Sequence, residues 1–270
     1  MNALLLVVIV VGAFALAEYL PTWRLKRALR ARFPDEYLHT LKQNIPAYQK
    51  MPAELQSQLQ YLIKQFLHQK EFYGCGGLEI TDEMRLTIAG QACLLLLNRA
   101  PRVYPDLRSI LVYPSAFIAP STEMSEGGVV TYREHSLLGE SWGDGRVILS
   151  WDDVQRGARD FTDGHNVVLH EFAHQLDEES GRANGAPILA SRLNYPGWAA
   201  VLSREFASLR SDVLHHYPTV LDEYGATSPA EFFAVATETF FEMPAQMAEH
   251  HPELFQELKN YYRVDPQEWL

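Results

Sequence analysis

Apolar residues follow several different rhythms along the chain. At the start they scarcely alternate: Ala3 to Ala17 is uncharged and almost wholly apolar, and with Tyr19, Leu20 and Trp23 the stretch reaches about 20 residues, broken only by Glu18. Further on, Leu55, Leu59, Leu62, Ile63 and Phe66 recur at spacings of three and four, the period of an amphipathic helix, and Pro52 ahead of them suits a helix start. The span 24–70 as a whole reads as helical. Thr81 to Asn98 predicts a second helical stretch, closed by Pro101. Ser109 to Tyr113 is strand-like. Two further runs, Val129-Val130-Thr131-Tyr132 and Val147-Ile148-Leu149-Ser150-Trp151, are β-branched or aromatic, and Gly143-Asp144-Gly145 supplies a turn between them, so a short sheet is predicted there. Asn166 to Glu178, Pro196 to Leu214 and Ser228 to Phe241 read as helices, the last stopped by Pro244. No repeat and no low-complexity linker interrupts the pattern, so the part after the amino-terminal segment reads as one α+β domain.

Composition adds two restrictions. The 270 residues are 47% hydrophobic and 21% charged, enough apolar material for a packed core. The net charge of −11 makes nucleic acid an unsuitable partner, because few cations are available to release phosphate counterions. Charge is also unevenly placed. Glu18 stands against Arg24, Lys26, Arg27, Arg30 and Arg32, so the first 32 residues carry +4 within a chain of −11. An apolar stretch followed at once by cations predicts a transmembrane anchor over residues 1–23, a basic juxtamembrane helical segment over 24–50, and the remainder on the cytoplasmic side of the inner membrane. The competing readings are a buried core helix and a cleavable signal peptide, since Ala15-Leu16-Ala17 resembles a cleavage site and would send the protein outside. The two cysteines, Cys75 and Cys93, are too few for a disulfide framework or a four-thiolate metal site, and both are expected as thiols, with a single disulfide between them as the alternative.

The chemistry lies in His170-Glu171-Phe172-Ala173-His174. Two histidines four apart on a helix project from one face and can bind one Zn²⁺, while Glu171 reaches the open coordination position as a general base toward water. About 0.03 chance occurrences of this pattern are expected in a chain with 10 histidines. The alternative is a pair of satisfied core histidines with an exposed glutamate. It is disfavoured by the apolar neighbours Val167, Val168, Leu169 and Leu176, because buried polar side chains need compensation. A third ligand is required. Gln175-Leu176-Asp177-Glu178-Glu179-Ser180 offers no histidine nearby, so a carboxylate or histidine of a later helix is expected. Glu231 leads, with Glu238 and Glu242 on the same stripe at +7 and +11 as alternatives. Glu231 also has a plain reading, as the acid of a Ser228-x-x-Glu231 capping box. Asp177 either hydrogen-bonds a ligand imidazole or solvates the helix end.

These residues resemble the Mlc titration factor A family of bacterial zinc peptidases and, more distantly, lethal-factor-type zincins. The resemblance covers roughly 50–265. It rests on the stretches Val112–Phe117, Val147–Asp152, His170–Asp177 and Tyr224–Val235. It implies a zincin-like domain over 51–270, mostly helical with a small sheet. It further implies one Zn²⁺ on His170, His174 and Glu231, Glu171 as catalytic base, and Tyr224 as the hydroxyl that stabilises the oxyanion. The expected function is zinc-dependent hydrolysis of peptide bonds in a peptide or protein substrate, with Val147–Trp151 as the candidate edge strand for an extended peptide. Endo- and exopeptidase action both stay open, aminopeptidase among them. The alternative is a regulatory binding protein that sequesters a transcriptional repressor with little or no turnover.

Overall fold

Capping residues and strand pairing together explain where the elements begin and end. The computed structural model describes residues 20, 23–99, 102–124, 130–137, 139–142 and 145–269. Four helices come first: α1 (residues 23–30), α2 (Asp35–Asn44), α3 (Pro46–Lys50) and α4 (Ala53–Gln69). Strand β1 (Glu71–Gly74) and helix α5 (Asp82–Leu94) follow. The strands β2 (Ser109–Tyr113), β3 (Phe117–Met124), β4 (Val130–Leu137), β5 (Gly139–Trp142) and β6 (Arg146–Ser150) come next. The rest is helical: α6 (Trp151–Arg159), α7 (Val167–Glu178), α8 (Tyr195–His215), α9 (Pro229–Glu242), α10 (Pro244–His250) and α11 (Pro252–Tyr262). The mostly helical α+β architecture matches the sequence pattern. Residues 1–19 and 21–22, which hold most of the expected anchor, lie outside the described residues. Among the described residues no helix is long and apolar enough to cross a membrane.

The main sheet runs in the order β1-β2-β6-β5, with β1, β2 and β6 parallel and β5 antiparallel to β6. β3 and β4 form a separate antiparallel pair. This corrects two expectations. The run 147–151 is not an edge strand: β6 lies between β2 and β5, and four of its five residues are buried, as a strand covered on both faces requires. Trp151 is not in the strand at all. Ser150 accepts the Asp153 N–H, and Asp152 and Asp153 fill the first turn of α6, a start signal that ends the strand. The Val130 run pairs with β3 rather than with β6, and β5 takes the expected place beside β6, at one edge of the sheet. Gly145 has φ +86°, and a Cβ there would meet the Asp106 carbonyl oxygen at 2.6 Å, so only glycine fits.

One core runs through the described residues, from Phe33 to Trp269. Leu41, Ile45 and Tyr48, from the segment 24–50, belong to it. At its centre Phe172 of α7 meets Tyr104 edge-on at 4.8 Å and Phe66 of α4 at 5.7 Å between ring centroids, and Tyr104 Oη donates to the Ala92 carbonyl at 2.6 Å. Helix α9 is buried over its whole length from Phe232 to Glu242. Polar side chains fixed on α7 and α9 must therefore find partners within the protein. Cys75 and Cys93 are both unpaired thiols, and Cys93 is wholly buried.

Candidate metal centre

Helix α7 begins where Asn166 turns its side chain back: Oδ1 accepts the N–H groups of Val168 and Leu169, both at 3.1 Å. Val168, Leu169, Phe172, Ala173 and Leu176 form a fully buried face. At a helical period of 3.6 the flank beside it carries His170 and His174 one turn apart. Helix α9 packs alongside. Ser228 Oγ accepts the Glu231 N–H at 3.2 Å, so half of the expected capping box forms. The Glu231 carboxylate turns away from the cap and toward the histidines.

His170, His174 and Glu231 each offer one ligand atom, and the three atoms lie within 4.8 Å of one another. Glu231 Oε2 is 2.9 Å from His170 Nε2 and 3.3 Å from His174 Nε2, and the two Nε2 atoms are 3.2 Å apart. Donors about 2.1 Å from a tetrahedral zinc stand about 3.4 Å from each other, close to the sides of this triangle, so the group can close on such an ion. Burial alone would raise the Glu231 carboxyl, but the hydrogen bonds and charges of His170 and His174 outweigh it and bring it down to about 2. Of the three carboxylates on the stripe, Glu231 is the one that closes the group.

The other two take different positions. Glu238 Oε1 lies 2.7 Å from His170 Nδ1, and its Oε2 accepts the Asn166 N–H at 2.5 Å. Glu242 Oε1 accepts from Asn166 Nδ2 at 2.9 Å. Burial disfavours charge on His170, yet Glu238 and Glu231 raise its pKa well above the ordinary value. Burial also pushes Glu171 up to about 7, against the lowering effect of the two histidines. Glu171 Oε2 is buried and has no hydrogen-bond partner among the described residues. A carboxyl left so, next to a cluster of ligand atoms, has spare capacity for one more polar group.

Tyr224 sits in a 3-10 turn, Glu223–Ala226, that Asp222 caps by accepting the Tyr224 N–H at 2.7 Å. Its ring centroid is 6.0 Å from that of His170, and the side chain is 54% exposed, so the phenol borders the open side of the group. Asp177 fits neither expectation. It is wholly buried, and its Oδ2 accepts the Gly185 N–H at 2.6 Å, fastening the loop that follows α7. The residues missed at the sequence level are Asn166 as a hub and Glu238 as an imidazole partner. Glu238 was visible only as a member of the α9 stripe, and Asn166 only as a helix-start residue.

The geometry agrees with the comparisons to known proteins. The family model described as glucose-regulated metallo-peptidase M90 matches residues 20–263. An uncharacterised protein of Synechocystis sp. is 41% identical over 245 residues, 90% of this chain and 89% of that one. Proteins called Mlc titration factor A are 33% identical in Klebsiella pneumoniae, over 82% of this chain and 84% of theirs, and 32% identical in Enterobacter sp., over 84% and 85%. A match along that span, with relatives aligned over most of their own length, establishes that the chain belongs to the M90 family of metallo-peptidases.

Proposed function

We propose that the chain is a zinc-dependent peptidase. One observation carries this reading: three ligand atoms converge within 4.8 Å beside Glu171, a buried carboxyl with an oxygen unpaired among the described residues. His170, His174 and Glu231 would hold the ion, two imidazoles and one carboxylate, with an open side left for substrate. When bound, zinc supplies Lewis-acid polarisation of a carbonyl and acidifies water. Glu171 takes the proton of the attacking water and delivers it to the leaving amine nitrogen. The Tyr224 hydroxyl donates a hydrogen bond to the oxyanion as it forms. An extended peptide would pair with β5, the edge strand next to β6, and so cross the site with its carbonyls aligned.

A second reading has support from the relatives' printed name, Mlc titration factor A. On that reading the chain binds a transcriptional repressor and turns over little or nothing. The apolar stretch 3–23 and the five cations behind it support attachment to the inner membrane with the metal centre in the cytoplasm, against export after cleavage. Purified protein stripped of metal and reloaded with zinc separates peptidase from binder. Cleavage of a peptide library that stops on stripping and returns with zinc supports the enzyme. A zinc-loaded protein that cleaves nothing in the library supports the binder.

A further inference from the structure

Helix α9 sends three carboxylates toward α7, and each meets different nitrogens. Glu231 faces the Nε2 side of His170. Glu238 faces the opposite side, with Oε1 2.7 Å from Nδ1. Its other oxygen is fixed by the Asn166 N–H at 2.5 Å, and its side chain is 8% exposed, so the carboxylate cannot swing away to water. Asn166 is fixed in turn. It caps Val168 and Leu169 through Oδ1, and Glu242 holds its Nδ2. The aim of the Glu238 carboxylate is thus set by the backbone of the helix that bears His170.

We propose that Glu238 is the positioning residue of the metal centre, holding the proton of His170 on Nδ1 so that the Nε2 lone pair faces His174 and Glu231. The proposal rests on the metal-site reading above. A carboxylate has only acceptor lone pairs, and a neutral imidazole has one N–H and one bare nitrogen. With Nδ1 facing Glu238, the N–H belongs there, and Nε2 is left as the ligand atom. A plain structural role, closing the first turn of α7, would use the Asn166 bond alone and leave the imidazole free to choose.

Glu238→Gln separates the two roles. The Asn166 N–H is an obligate donor, so the amide oxygen of the new side chain stays on it. The NH₂ group then faces His170 Nδ1, which must give up its proton to accept. The proton moves to Nε2 and blocks the ligand position, while the backbone contact survives. In metal-free protein, at a pH high enough to leave His170 neutral, ¹⁵N NMR of the His170 ring should show Nδ1 protonated in the wild type and the Nε2–H tautomer in Glu238→Gln. Chelator competition should show the zinc Kd of the variant raised about 10–100-fold. Circular dichroism and the melting temperature of the metal-free variant should match the wild type. Glu242→Gln, which alters a contact to Asn166 and not to His170, should keep wild-type zinc affinity.

An unprotonated Nδ1 in the wild type overturns the proposal without any variant, and so does a folded Glu238→Gln with wild-type zinc affinity. If the wild type itself binds no zinc, the metal-site reading fails. The tautomer measurement on metal-free protein still reports on Glu238 in that case.

Discussion

Glu242 gives the sharpest test of the buried network around α7. Its side chain is 3% exposed, and one oxygen is buried without a partner among the described residues. Burial, joined by the charges of Glu238 and Asp163, raises its pKa from 4.5 to about 9 although Asn166 donates to it. At neutral pH the folded protein therefore holds a proton that the unfolded chain has released. With fewer protons on the unfolded state, stability falls as pH rises from about 4.5 to about 9, by about 1.4 kcal/mol per unit. Glutamine copies the neutral carboxyl in shape and can accept from Asn166, but has no proton to lose. Glu242→Gln should thus gain on the wild type as pH rises, by roughly 3 kcal/mol between pH 5 and pH 7. Denaturant unfolding of both metal-free proteins at several pH values measures the difference. Parallel stability curves would show that Glu242 titrates like an ordinary carboxyl, and would refute the buried-network account.

Three further outcomes follow from the same structure. Phe172→Ala empties a fully buried ring site between Tyr104 and Phe66 and should cost about 3–5 kcal/mol in denaturant unfolding; a loss below about 1 would mean that the ring is not central to the core. Tyr224→Phe should keep zinc content and melting temperature but lower turnover about 10²–10³-fold in a peptide assay, and wild-type turnover would reduce Tyr224 to a loop residue. If residues 3–23 anchor the chain, the full-length protein stays in the salt-washed membrane fraction and a carboxy-terminal alkaline phosphatase fusion is inactive; an active fusion, or a mature amino terminus at Glu18, reverses the topology.

What the sequence made legible was local, and what it concealed was long-range. Helices α5, α7 and α9 announce themselves through Thr81, Asn166 and Ser228, each of which caps the helix that follows. The ligand pair His170 and His174 is readable because four residues make one turn. Glu231 carried two meanings, and the structure uses both: its backbone N–H is capped by Ser228, while its carboxylate joins the histidines. Strand order could not be read, because the neighbours of β6 are set by pairing with β2, far back in the chain, and with β5 rather than with the Val130 run. Asp177 misled because the loop at Gly185 folds back over it, enclosing a side chain placed at a helix end. The division of labour between Glu231 and Glu238 depends on which side of one imidazole each meets, across more than sixty residues of chain.

The central claim is that Glu171 performs proton transfer next to a metal held by other residues. Glu171→Gln keeps the shape of the side chain and removes its basicity, without touching His170, His174 or Glu231. The decisive measurement is peptide-library cleavage by the zinc-loaded wild type and by zinc-loaded Glu171→Gln, with metal content determined on the same samples. The account predicts equal zinc in both proteins, cleavage by the wild type and none by the variant. Equal cleavage by the two proteins would contradict it.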